Sequence, residues 1–245
     1  MDHEEPVVAI DVLVEVSMNR ADVKIGGSEP KFVEISKHIQ LTCRYNASPP
    51  VLEVQWLKDG IVIARNYSEI NNGRVNITQF TESQSQLLIS SSTKEDEANY
   101  GCFVTNAVGN SSDITSVIIQ VGPNPPQNIT VGSKGSRVVN IFWNFGFDGN
   151  SDIKNYTVEI SEDSQIFKDV DCQGSLSSSA CVVSSLSKTA SLTGLLPWTT
   201  YSIRVFATNK IGKSYSSHIL NVTTDEEGKL FTLYTIFTMY VKSYG

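Results

Sequence analysis

The chain has 245 residues, room for about two domains of ordinary size. It is 40% hydrophobic and 18% charged with a net charge of -7, a globular composition whose acidity argues against nucleic acid or another polyanion as the main partner. The four cysteines, Cys43, Cys102, Cys172 and Cys181, do not have the close paired spacing of a zinc site.

Met1-Asp2-His3-Glu4-Glu5 has no basic n-region, and Val7 to Val16 is broken by Asp11 and Glu15, so the stretch lacks the form of a signal peptide. Val8 to Val16 is strand-like and similar to Asp113 to Val121. Residues 1–17 therefore read either as the last strand of a preceding domain or as an extended first strand of the next. From 18 to 121, strands are expected at 21–26, 31–36, 38–45, 52–58, 61–65, 74–80, 85–91, 98–106 and 112–121. Ile39-Gln40-Leu41-Thr42-Cys43 and Val54-Gln55-Trp56-Leu57 alternate apolar and polar, which buries one face of each. Asp59-Gly60 marks a turn and Asn72-Gly73 a hairpin of the primed type.

Cys43, Trp56 and Asp96-Glu97-Ala98-Asn99-Tyr100-Gly101-Cys102 together resemble an immunoglobulin domain. The resemblance implies a Cys43–Cys102 disulfide between two sheets, Trp56 packed on it, and a tyrosine corner at Tyr100. Lys94-Glu95-Asp96 is similar to the family's helical turn, and Asn106-Ala107-Val108-Gly109 to the Asn-x-x-Gly turn of intermediate-set domains. Ala98 stands where the family commonly has Gly.

Gly122-Pro123-Asn124-Pro125-Pro126, residues 122–126, is read as a linker. Prolines fix φ and lack an amide donor, so strand pairing should stop there and the joint should be fairly stiff. In 125–224, Val138 to Trp143, Ile153 to Ile160 around Tyr156, Leu195-Leu196-Pro197-Trp198-Thr199-Thr200-Tyr201 and Val205 to Ser214 together resemble a fibronectin type III domain. That resemblance places Trp143 and Tyr201 in a second core, whereas alternation points Trp198 outward. The expected class is all-β, two tandem antiparallel β-sandwiches, immunoglobulin-like then fibronectin type III. Cys172 and Cys181 depart from the fibronectin pattern. They read as a local disulfide stapling a hairpin, or as two free thiols in a reducing compartment. In the tail, 225–245, the apolar run Leu230 to Val241 is only 12 residues, too short to span a membrane. It reads as a truncated membrane segment, part of an anchor signal, or an artefactual end.

Asn-x-Ser/Thr sequons stand at Asn46, Asn66, Asn76, Asn110, Asn128, Asn155 and Asn221. With 17 asparagines, and Ser plus Thr at roughly a fifth of residues, chance gives about half that number. The excess points to the secretory pathway and N-glycosylation. Asn72-Gly73-Arg74 has the form of an integrin-binding tripeptide, but a tight turn explains it more simply. Asp148-Gly149-Asn150-Ser151-Asp152 is calcium-like in composition but lacks the rest of an EF-hand loop, and a solvated turn is the better reading. The histidines, His3, His38 and His218, form no evident constellation with Ser or Cys, and no P-loop or dinucleotide turn occurs. No catalysis, metal or cofactor is expected.

The domain order, linker and sequons resemble the ectodomains of contactins, neural cell adhesion molecules, Roundabout-type receptors and receptor tyrosine phosphatases. This implies an extracellular, cell-surface recognition module that binds protein, homophilically or heterophilically, with the immunoglobulin domain in direct contact and the full-length protein held at the membrane. The alternatives are a structural repeat of a giant intracellular muscle protein of the titin type and the ectodomain of a receptor phosphatase or kinase.

Overall fold

A computed structural model describes residues 18–26, 30–66, 68–69 and 73–228. The expectations for residues 1–17, Asn72 and the apolar run of the tail lie outside the described residues. The chain divides after Ile119 into two compact units.

The first unit carries β1 (Asn19–Ile25), β2 (Lys31–Glu34), β3 (Ile39–Ser48), β4 (Val51–Lys58), β5 (Ile61–Arg65), β6 (Ser68–Glu69), β7 (Val75–Phe80), β8 (Gln84–Ile89), β9 (Ala98–Asn106) and β10 (Gly109–Gln120). They form two sheets, in the orders β1-β3-β8-β7 and β2-β10-β9-β4-β5-β6. Alternation decides which side chains enter the core between them. On β3, Ile39, Leu41, Cys43 and Tyr45 are buried while Gln40, Arg44 and Asn46 are exposed. Val54 and Trp56 on β4, and Tyr100, Cys102 and Val104 on β9, enter from the opposite sheet.

The second unit carries β11 (Gln127–Lys134), β12 (Val139–Asn144), β13 (Asn155–Ser161), β14 (Lys168–Asp169), β15 (Cys181–Ser184), β16 (Thr189–Leu192), β17 (Thr200–Thr208) and β18 (Leu220–Thr223). One sheet runs β11-β12-β16. The other runs β14-β13-β17-β18, with β15 also paired to β13. Ile141 and Trp143 meet Tyr156, Val158, Ile203 and Val205 in its core.

The turn at 148–152 differs from expectation. Rather than lying in solvent, it packs on the segment that leads into this unit. Gly149 is buried at φ +79, and a Cβ there would sit 2.1 Å from the Val121 carbonyl oxygen. Val121 N–H donates to Gly149 O at 2.8 Å, and Asn209 Nδ2 donates to the carbonyls of Val121 and Asp148 at 2.7 and 2.8 Å. Within the turn the Asp148 carboxylate accepts from Asn150 N–H at 2.9 Å, so both the acid and the glycine serve the local backbone.

The two core tryptophans are both fully buried but differ in one bond. Trp56 Nε1 donates to Ser85 Oγ at 2.9 Å, whereas Trp143 Nε1 has no partner among the described residues. Trp56→Phe should therefore cost its unit about 1–2 kcal/mol more than Trp143→Phe costs the other, because it also strands the buried Ser85 hydroxyl. Calorimetry of both variants checks this, and equal losses would show that the indole bond contributes nothing.

Candidate recognition surface

The scaffold of the first unit is fixed by two covalent and polar devices. Cys43 and Cys102 are joined across the sheets, and both are fully buried. Tyr100 Oη donates to Asp96 O at 3.0 Å, and burial pushes its phenol well above the ordinary range. Arg74 is not available as part of a binding tripeptide. Its guanidinium donates to Asp96 Oδ2 at 2.5 Å and to the carbonyls of Ser90 and Ser91 at 3.2 Å. Asn106 Oδ1 accepts from Val108 and Gly109 N–H at 3.0 and 3.1 Å, closing the turn between β9 and β10.

This scaffold presents an apolar face. In the register of the six-stranded sheet, Leu57 and Ile114 both lie opposite Gly101, and Phe103 lies between Gln55 and Ser112. Trp56, Cys102 and Val104 point inward, so Leu57, Gly101, Phe103 and Ile114 share the outer face. A Cβ on Gly101 would lie 3.7 Å from Ile114 Cγ1 and 3.9 Å from Leu57 Cβ. The two aliphatic chains thus flank bare backbone, and Ile114 is 66% exposed. On the same strand as Leu57, Glu53 pairs with Arg65 at 3.2 Å and accepts from Gln55 at 2.9 Å. Sequence reading missed this face because Ile114 sits in a polar run, Asn110-Ser111-Ser112-Asp113; only its register against Gly101 reveals the patch.

The sequons divide between faces. Asn46 and Asn76 lie on the outer face of the opposite, four-stranded sheet, in register with Asp22 and Leu88. Asn110 shares the apolar face but is four residues from Ile114 along β10, about 13 Å away. Asn66, at φ +48 after β5, has its Oδ1 bound to Val54 N–H at 2.9 Å. In the second unit, Asn128 lies on β11, while Asn155 and Asn221 lie on the outer face of the larger sheet. Asn221 Oδ1 accepts from Ser202 Oγ at 2.7 Å.

Between Asn155 and Asn221 runs a charged and aromatic ladder that sequence reading also missed. The Arg204 guanidinium lies 3.8 Å from the Phe167 ring centroid and 5.2 Å from that of Phe206, and Lys213 Nζ lies 3.8 Å from the Phe206 centroid. Glu159 binds both cations, at 2.6 Å to Arg204 and 3.1 Å to Lys213. Burial works to raise its pKa, but the two cations outweigh it and hold the carboxyl below the ordinary glutamate range. Beside it, the hydroxyls of Ser214 and Ser217 accept from Ala207 and Val205 N–H at 3.0 and 2.9 Å, standing in for strand carbonyls. The Ser-x-x-Ser spacing was the available signal.

Cys172 and Cys181 are bonded to each other, and there are no free cysteines. The link does more than close a hairpin. Cys172 bridges to Leu192 of β16, whereas Cys181 pairs with Val158 of β13, so the bond ties the two sheets. Tyr201 Oη accepts from Leu196 N–H at 2.9 Å, and Trp198 is 70% exposed at φ +52. His38 and His218 are exposed, and among the described residues no three His, Cys, Asp or Glu side chains converge on a metal-sized site. No described helix is long and apolar enough to cross a membrane.

Residues 24–106 match the immunoglobulin domain family and residues 124–223 the fibronectin type III family. The chain is similar to the cell adhesion molecule DSCAM of Gallus gallus, 30% identical over 76% of this chain and 9% of that one. It is 30% identical to the human neural cell adhesion molecule L1-like protein over 77% of this chain and 14% of that one, and 27% identical to contactin-1a of Danio rerio over 80% and 19%. Among solved structures, titin domains A168–A170 are 21% identical, with a TM-score of 0.49 over 84% of this chain and 66% of that one. The chain thus spans a small fraction of the curated relatives it matches. It is an immunoglobulin domain followed by a fibronectin type III domain, homologous to DSCAM, L1-like and contactin cell adhesion molecules.

Proposed function

We propose that this chain is a non-catalytic, extracellular recognition module that binds a protein partner through the outer face of the six-stranded sheet. The observation that carries this reading is the Leu57–Gly101–Ile114 row with Phe103 beside it. Four uncharged residues share one flat face of an otherwise acidic chain. Desolvating such a centre costs little, while the Glu53–Arg65 pair at its rim gives orientation. Asn46 and Asn76 would cover the opposite sheet, whereas Asn110 shares this one, in register with Thr105 two residues from Phe103, so its glycan would bound the contact on that side and leave the Leu57–Ile114 end open. Two disulfides and the adhesion-molecule homologues favour the extracellular setting over an intracellular muscle repeat.

Beads coated with the secreted chain, mixed with each other and with a panel of neuronal ectodomains, test the proposal. Ile114→Arg should reduce capture at least tenfold without lowering the unfolding midpoint, because Ile114 is mostly exposed. Capture that survives both Ile114→Arg and Leu57→Glu would move the contact off this face.

A further inference from the structure

Among the sequon asparagines, Asn128 borders one groove and Asn46 borders two. Asn46 is exposed on β3, and its carboxamide makes no hydrogen bond among the described residues, unlike those of Asn66 and Asn221. It also stands on the ridge between two grooves. On one side lies a groove of about 650 Å³ whose walls include Tyr45, Pro50, Val51 and Phe80, with Thr81 and Glu82 at its polar edge. On the other lies a groove of about 410 Å³, lined by polar and charged chains including Asp22, Lys24 and Arg44. The base of the larger groove is firmly built: Tyr45 Oη donates to Thr81 O at 2.7 Å, and Tyr45 N–H donates to Ser83 O at 2.9 Å. The hairpin that carries Phe80 is therefore held against β3 beside Asn46.

We propose that the first N-acetylglucosamine units of a glycan on Asn46 lie in the larger groove and form part of the first domain's structure. A pyranose ring has one face of C–H bonds and a rim of hydroxyls. A wall containing Phe80, Pro50 and Val51 suits the first, and the carbonyls and carboxylate of Thr81 to Ser83 suit the second. The smaller groove shares Tyr45 with the larger one but is otherwise lined by charged and polar chains, and it has no counterpart of Phe80, Pro50 and Val51. A tether only one asparagine long makes the effective concentration of the sugar high, so even a weak site is filled. The bound glycan would tie β3 to the β7–β8 hairpin at the end of the sandwich.

The proposal rests on the secretory reading in one respect, that this sequon is used. The experiment separates the two. The chain is secreted from glycosylating cells, occupancy at each asparagine is read by mass spectrometry, and the first domain's unfolding midpoint is measured. Asn46→Gln should lower that midpoint by about 3 °C, and Asn76→Gln by less than 1 °C. Enzymatic trimming to a single sugar should leave most of the stabilisation. Phe80→Ala should cost less in the Asn46→Gln background than alone, because the sugar it would lose is already gone. If Phe80→Ala is not secreted, Phe80→Leu keeps the bulk and removes the ring. An occupied Asn46 whose removal is additive with both Phe80 changes overturns the proposal and leaves glycosylation intact. An unoccupied Asn46 overturns it together with the secretory reading at that sequon, while bead capture through Ile114 still reports on the recognition face.

Discussion

Replacing Cys43 and Cys102 together by alanine should lower the stability of the immunoglobulin domain by about 4 kcal/mol, and replacing Cys172 and Cys181 should lower that of the fibronectin domain by about 2.5–3 kcal/mol. The difference comes from chain entropy. The first bond joins residues 59 apart and the second residues 9 apart, so the first removes far more freedom from the unfolded chain. The loss of about 4 kcal/mol is a large fraction of an ordinary domain's stability, so the first variant should have a much lower unfolding midpoint. Urea unfolding of both double variants, followed by circular dichroism, gives the comparison. A second loss as large as the first would mean that tying β13 to β16 in the native core outweighs loop length.

The frame of both domains was legible because period-two burial leaves its mark on composition. Ile39, Leu41 and Cys43 announce their face, and so do Val139, Ile141 and Trp143. The tyrosine corners were legible for a different reason: each depends on a local bond, Tyr100 to Asp96 and Tyr201 to Leu196, four and five residues apart. What stayed hidden depends on register between distant strands. Nothing near Gly101 indicates that Leu57 and Ile114 flank it. Glu159 meets Arg204 and Lys213 across separations of 45 and 54 residues. The charged turn at 148–152 misled for the same reason, since its partners, Val121 and Asn209, lie far away in sequence. Cys172 looked like one foot of a hairpin because its spacing from Cys181 is short, while its pairing with Leu192 is not local.

Asp96 is the buried acid of the immunoglobulin domain and yields a sharp stability test. Asp96→Asn should cost the immunoglobulin domain about 3 kcal/mol at pH 7, because it leaves Arg74 facing a neutral amide at a largely buried position. Burial by itself would raise the Asp96 pKa. The Thr93 N–H at 2.8 Å, the Arg74 guanidinium and Lys58 Nζ at 3.7 Å outweigh it and hold the carboxyl below the ordinary aspartate range. A carboxyl depressed in the folded state contributes stability above its unfolded pKa, near 4, and loses it as pH falls through the lower folded value. The cost of Asp96→Asn should therefore shrink steadily below about pH 4, as the wild-type side chain takes up its own proton. Arg74→Lys should cost less, since an ammonium still neutralises the carboxylate while losing the fork that also reaches Ser90 and Ser91. Urea unfolding at pH 7, 4 and 2.5 reads all three quantities. A penalty for Asp96→Asn that stays constant across that range would show that the site is held by the shape of the 94–96 turn and the Tyr100 bond, with charge playing no part.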